Sequence, residues 1–128
     1  MIRDPKNPKE EIDSQWVKSG IELYNGEPYV GTVGCDRWAD WSLTQAGIDK
    51  GKVTLEMERD GADDTLWIYV VEKEGGKRIP IREVTWVLGN GDRPDEKEVW
   101  VGVYAASPKP DGGVLEVGFE GWELEVRK

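Results

Sequence analysis

The chain has no histidine and only one cysteine and one phenylalanine among its 128 residues. Without imidazole it cannot build a Ser-His or Cys-His nucleophile or a zinc site based on histidine, and the commonest general base is missing. Cys35 has no partner for a disulfide within the chain, so the sequence favours a reducing, cytoplasmic location. Any catalysis would depend on carboxylates, lysine or tyrosine.

Positive charge is also scarce. Lysine and arginine total 17 against 26 aspartates and glutamates, which gives a net charge of −9. This field repels a phosphate backbone and an anionic lipid surface, so we expect neither nucleic acid nor membrane as a partner. No stretch approaches the ~20 apolar residues of a membrane span. No segment has the spacing of a calcium loop or a phosphate-binding loop, and we expect no metal and no cofactor.

Seven tryptophans and four tyrosines supply the aromatic content instead. They fall in short segments separated by Gly, Asp, Asn and Pro, and only residues 42–51 could hold a helical turn. This spacing predicts an all-β, antiparallel two-sheet sandwich of seven or eight strands in one domain, residues 1–128. The predicted strands cover residues 15–24, 29–36, 38–43, 52–59, 65–73, 79–88, 98–106 and 114–127.

The alternation of side chains predicts which way the aromatics point. Successive side chains of a strand lie on opposite faces. In the fifth predicted strand, Ile68 and Val70 therefore share one face, while Trp67 and Tyr69 share the other. The first and seventh predicted strands follow the same plan. If the aliphatic faces form the core between the sheets, the Trp/Tyr faces form an outward, amphipathic surface.

A set of indoles, acids and cations in this pattern predicts a ligand-binding site. Aromatic faces can stack on the C–H faces of a sugar, acids can accept its hydroxyl protons, and cations can order the acids. The competing interpretations are core packing of the indoles, a plain Lys18–Glu22 ion pair, and a turn role for Asp40. The predicted ligand-binding residues are Trp16, Lys18, Glu22, Asp40, Trp41, Ser42 and Arg82.

Three motifs occur in order along the chain: Trp16, Lys18, Gly20 and Glu22; then Asp40, Trp41 and Ser42; then Gly102, Tyr104, Ser107 and Pro108. With them the chain resembles the uncharacterised family of concanavalin-A-like jelly-roll proteins that includes the fungal regulator-of-enolase protein. The resemblance implies a two-sheet jelly roll, related at fold level to lectins and glucanases. It also adds Tyr104 to the expected ligand-binding residues and implies a regulatory link to a glycolytic enzyme.

The chain departs from that family at its start. Family members have further strands before the first motif, and those strands end in a segment that resembles Met1–Arg3 of this chain. The resemblance therefore implies a partial jelly roll. Its sheet edges and apolar face would be uncovered, so we expect a homodimer.

Three functions remain open at this point. The first is a non-catalytic β-sandwich that recognises a carbohydrate or another polar ligand on its Trp-lined face, with no catalytic residues. The second is a cytoplasmic protein–protein interaction module that regulates a metabolic enzyme such as enolase. The third is a glycoside hydrolase that uses Glu22 and Asp40 as its carboxylate pair.

Overall fold

The computed structural model describes residues 15–36, 38–88, 99–107 and 111–126. The chain divides into two compact units, Met1–Asp92 and Arg93–Lys128, and each is described by itself. The single domain expected from the sequence stays a prediction.

Six strands lie in the described part of the first unit. They form two antiparallel three-stranded sheets, sheet 1 in the order β1-β2-β3 and sheet 2 in the order β4-β5-β6. The described residues contain no helix, and the predicted all-β sandwich is confirmed. Within each sheet the strands pair in sequence order, and the jelly-roll connectivity stays a prediction. The strands are β1 (Trp16–Tyr24), β2 (Glu27–Asp36), β3 (Trp38–Thr44), β4 (Thr54–Asp60), β5 (Thr65–Val71) and β6 (Arg78–Val84).

The first hairpin sets the register of sheet 1. Asn25 and Gly26 form its two-residue loop with φ values of 52° and 85°. Two positive φ values in such a loop match the right-handed twist of the flanking strands, and Asn-Gly accepts them at little cost. The loop therefore pairs Tyr24 with Glu27, and Glu22 with Tyr29.

The core lies between the two sheets and is aliphatic. Ile68, Val70 and Val84 of sheet 2 and Val30 and Thr32 of sheet 1 are the largest fully buried side chains. The Thr32 hydroxyl is paired with the Ser19 hydroxyl at 2.9 Å, so this buried polar group is satisfied. In β5 the predicted alternation is confirmed, because the two aliphatic residues of the central stretch are buried while Trp67 and Tyr69 are only half-buried.

A β-bulge in sheet 2 turns an arginine toward the core. The register between β5 and β6 shifts at Ile68/Tyr69, so that Ile68 pairs with Arg82 and Tyr69 pairs with Pro80. The extra residue is Ile81. A bulge changes the phase of the alternation, and Arg82 consequently shares the inner face with Ile79, the partner of buried Val70.

In the second unit, the described residues 99–107 and 111–126 form no strand. The predicted strands over 98–106 and 114–127 are therefore wrong for the described residues. Alternation shows which side chains would share a face, but a strand also needs a neighbouring backbone to bond. The large apolar side chains that are exposed there range from 46% exposure for Val117 to 98% for Val114. No helix in the described parts of either unit is long and apolar enough to cross a membrane.

Candidate functional site

The outer face of sheet 1, turned away from the core, carries four of the predicted ligand-binding residues. Lys18 is opposite Val33, which is opposite Trp41, and directly paired residues of a sheet point to the same side. Alternation along β1 places Trp16 and Glu22 on this side as well. Two tyrosines share it. We call the set Trp16, Lys18, Glu22, Tyr24, Tyr29 and Trp41 the sheet-1 outer face.

Lys18 and Glu22 form an ion pair at the middle of this face. Lys18 Nζ donates to Glu22 Oε1 at 2.6 Å, and the two side chains are 30% and 34% exposed. A pair this accessible to water contributes only about 0–1 kcal/mol to stability. Its effect at a binding surface is different, because it fixes the direction of a carboxylate and makes the pair neutral.

Glu22 lies flat on the sheet because the residue beneath it is a glycine. A Cβ atom added at Gly31 would collide with Glu22 Cγ and would approach Glu22 Cβ to 3.2 Å. Gly20, on the same face of β1, has open space above it, since an added Cβ would meet no atom within 4 Å. The two glycines form the floor of a trough. Glu22 lies over one part of it, and the part above Gly20 is open.

Three aromatic rings stand around this trough and span all three strands of sheet 1. The centroid of the Tyr24 ring is 6.1 Å from the centroids of both Tyr29 and Trp41. The interplanar angles are 80° and 71°, which is the edge-to-face geometry that aromatic pairs prefer. Trp41 remains 55% exposed, so most of its surface is available to a ligand.

The structure separates Asp40 and Arg82 from this face. Asp40 precedes Trp41 in β3, so its side chain points to the opposite side of sheet 1. There Arg82 Nη2 donates to Asp40 Oδ1 at 2.5 Å, and Arg82 Nη1 donates to the carbonyl oxygen of Thr32 at 3.4 Å. Arg82 therefore links the two sheets. Glu22 and Asp40 lie on opposite sides of one sheet and do not form a common carboxylate pair.

Ser42 also faces away from the trough. It lines a groove of about 280 Å³ between the edge strands β3 and β6. Thr32 and Thr44 of sheet 1 line the groove on one side, and Ile79 and Ile81 of sheet 2 line it on the other. Tyr104 belongs to the second unit, where it is 60% exposed. The predicted set thus falls in four places. The sheet-1 outer face brings four members together, the opposite side of sheet 1 brings Asp40 to Arg82, and Ser42 and Tyr104 lie elsewhere.

Sequence reasoning missed Tyr24 and Tyr29 as members of the site. The signal for them was present, because an Asn-Gly pair between two alternating segments indicates a two-residue hairpin loop. That loop length fixes Glu22 opposite Tyr29 and keeps Tyr24 on the same face as Glu22. Gly31 was missed for a different reason, since its role depends on the path of the Glu22 side chain.

The described residues contain no group of three or more cysteine, aspartate or glutamate side chains that could hold a metal ion. The acidic turn after β4 uses its carboxylates locally. Asp60 Oδ1 accepts a hydrogen bond from the Ala62 amide at 2.9 Å, and Asp64 is paired with Arg59. These are the bonds of a solvated turn.

Comparison with known proteins gives a family but no function. The model of a family described as "Protein of unknown function (DUF1349)" matches residues 5–126. An uncharacterised protein of Emericella nidulans is 46% identical over 114 residues, which cover 89% of this chain and 54% of that protein. The Saccharomyces cerevisiae protein named "Regulation of enolase protein 1" is 28% identical over 115 residues, which cover 88% of this chain and 50% of that protein.

The chain therefore spans about half the length of the curated relatives it matches. No solved structure matches it. The concanavalin-A-like character expected from the sequence stays a prediction.

Proposed function

Because this chain belongs to the DUF1349 family of proteins of unknown function, we propose its role from its geometry: a non-catalytic protein that binds carbohydrate on the sheet-1 outer face. The observation that carries the proposal is the trough itself. It combines a glycine floor, a fixed Lys18–Glu22 pair and rings on three strands. A sugar needs these three elements, which are space close to the backbone, oriented polar groups and apolar plates.

The electrostatics favour a neutral sugar. The pair of Lys18 with Glu22 has no net charge, and it offers both donors and an acceptor to hydroxyl groups. The whole chain has a net charge of −9, so its electrostatic field would repel an anionic glycan. We therefore expect neutral pyranose oligosaccharides to bind better than sulfated or uronic-acid oligosaccharides of equal length.

The test uses two tryptophans of one strand. Trp41 and Trp38 both lie in β3, both are exposed, and they point to opposite sides of sheet 1 because they are three residues apart. In a calorimetric titration with neutral oligosaccharides chosen from a glycan array, we expect Trp41→Ala to weaken binding about tenfold. Trp38→Ala should bind as the wild-type protein does. Equal affinities of the two variants, or no sugar that binds the wild-type protein, would refute the proposal.

A second candidate function rests on the distant relative from Saccharomyces cerevisiae, whose name is "Regulation of enolase protein 1". On that ground the chain would be a regulatory module that binds a metabolic enzyme such as enolase. Its exposed aromatic surface is compatible with such a role, because tyrosine and tryptophan are enriched at protein interfaces. Light scattering of purified enolase with and without this protein distinguishes the two candidate functions. A regulatory module should form a complex with enolase, whereas a carbohydrate-binding protein need not.

A further inference from the structure

The outer face of sheet 2 holds an arginine on an aromatic ring between two carboxylates. The guanidinium carbon of Arg78 lies 3.9 Å from the centroid of the Tyr69 ring. Arg78 Nη2 is 2.9 Å from Glu56 Oε1 and 2.5 Å from Glu58 Oε2. This cation–π contact supported by two glutamates is made within the chain, and it shows what this face can bind.

The register of the sheet explains the arrangement. Glu56 is directly opposite Tyr69, and Glu58 is the next residue of β4 on the same face. A carboxylate therefore lies beside the ring, and a cation above the ring is attracted by both. The hydrogen bond that Arg78 donates to Glu58 raises the pKa of Arg78 above its ordinary value, so the guanidinium keeps its charge at every physiological pH.

The neighbouring ring, Trp67, lies between one carboxylate that already holds Arg78 and one that holds no cation among the described residues. Trp67 is directly opposite Glu58 on one side and directly opposite Glu83 on the other, so both carboxylates lie on the face that carries the indole. Directly opposite residues have Cβ atoms about 4.5–5.5 Å apart, which is within reach of a cation seated on the ring. Within the part of the chain that the structure describes, no cation covers Trp67 or pairs with Glu83.

We propose that Trp67 and Glu83, next to the Arg78-bound Glu58, form a docking site for an arginine side chain of a partner protein. Two observations indicate that the bound side chain is an arginine: the charge of the site, and the contact of Arg78 with Tyr69 beside it. Tryptophan is the strongest of the aromatic residues for cation–π contacts, and arginine is the cation used most often. The net charge of −9 attracts a basic partner. The site lies on the sheet opposite to the trough, so it does not depend on sugar binding.

The experiment follows the indole signals of the isotope-labelled full chain by NMR during titration with the peptide acetyl-Gly-Arg-Gly-amide. The same peptide with citrulline in place of arginine is the uncharged control. Trp67→Phe identifies the Trp67 signal. We expect the arginine peptide to shift that signal, the citrulline peptide to leave it unchanged, and added salt to reduce the shift.

Two glutamate variants with the same change in net charge give the matched comparison. Glu83 is exposed, so Glu83→Gln leaves the fold intact, and we expect it to weaken arginine binding about threefold. Glu27→Gln removes an exposed acid from sheet 1 and should have no effect on the Trp67 signal. The proposal is overturned if citrulline shifts the signal equally, if both variants weaken binding alike, or if only signals of sheet 1 respond.

Discussion

The outer faces of the two sheets carry the same kinds of side chain but differ in what lies beneath them. Sheet 1 has Gly20 and Gly31 on its outer face, and β4, β5 and β6 contain no glycine at all. In sheet 1 the Lys18–Glu22 ion pair consequently lies against the backbone, and aromatic rings surround it. In sheet 2 the rings cover the backbone instead, and the cation of Arg78 lies over one of them, Tyr69.

This difference predicts different ligands for surfaces of similar composition. A trough between rings admits a flat, polyhydroxylated molecule to the backbone. A raised ring bordered by carboxylates admits a cation instead. The two outer faces have similar amino-acid compositions, and the glycines of sheet 1 are what distinguishes them.

Among the substitutions that test this difference between the sheets, we expect the largest effect from one that fills the trough. Gly31→Ala places a methyl group against Glu22 and should reduce the free energy of unfolding by about 1–3 kcal/mol, because the side chain and the strand must shift. Gly20→Ala is the matched control, since its methyl group meets no atom. Urea denaturation of both variants measures the difference. If both substitutions cost the same, the glycine floor has no special role.

A smaller effect is expected from removing the cation of sheet 2. Arg78→Ala leaves Tyr69 between Glu56 and Glu58 without its arginine, so the arginine peptide should now shift the Tyr69 ring signals as well as the Trp67 signal. Arg59→Ala is the control, because Arg59 pairs with Asp64 and contacts neither ring. Tyr69 signals that stay unchanged in the Arg78 variant would show that a ring between two glutamates is insufficient.

The elements of the first unit could be predicted from the sequence because local chemistry determines them. Alternation identified both faces of β5, and each turn carries the glycine or acidic residue that its conformation needs. The predicted limits of β1 agree with the structure to one residue. The same reasoning failed for residues 99–107 and 114–126, where the pattern is present but no ladder is formed among the described residues.

The candidate site was harder to predict, for two physical reasons. Asp40 and Trp41 are adjacent in sequence, and adjacency along a strand places two side chains on opposite faces. Arg82 points inward because of a bulge next to Pro80; a proline in a strand is compatible with an edge position as well as a bulge, so the sequence does not fix the change of phase. Lys18 and Glu22 could be paired from sequence, since residues four apart on a strand share a face, and the structure joins them.

Sugar binding in the trough of sheet 1 is tested most directly by the response of the seven indole signals during titration with a neutral oligosaccharide that binds the protein. We expect the signals of Trp41 and Trp16 to shift with a common affinity, while those of Trp38 and Trp67 stay in place. Shifts confined to Trp38 or Trp67 would contradict this expectation, because the sugar would then occupy a surface other than the trough of sheet 1.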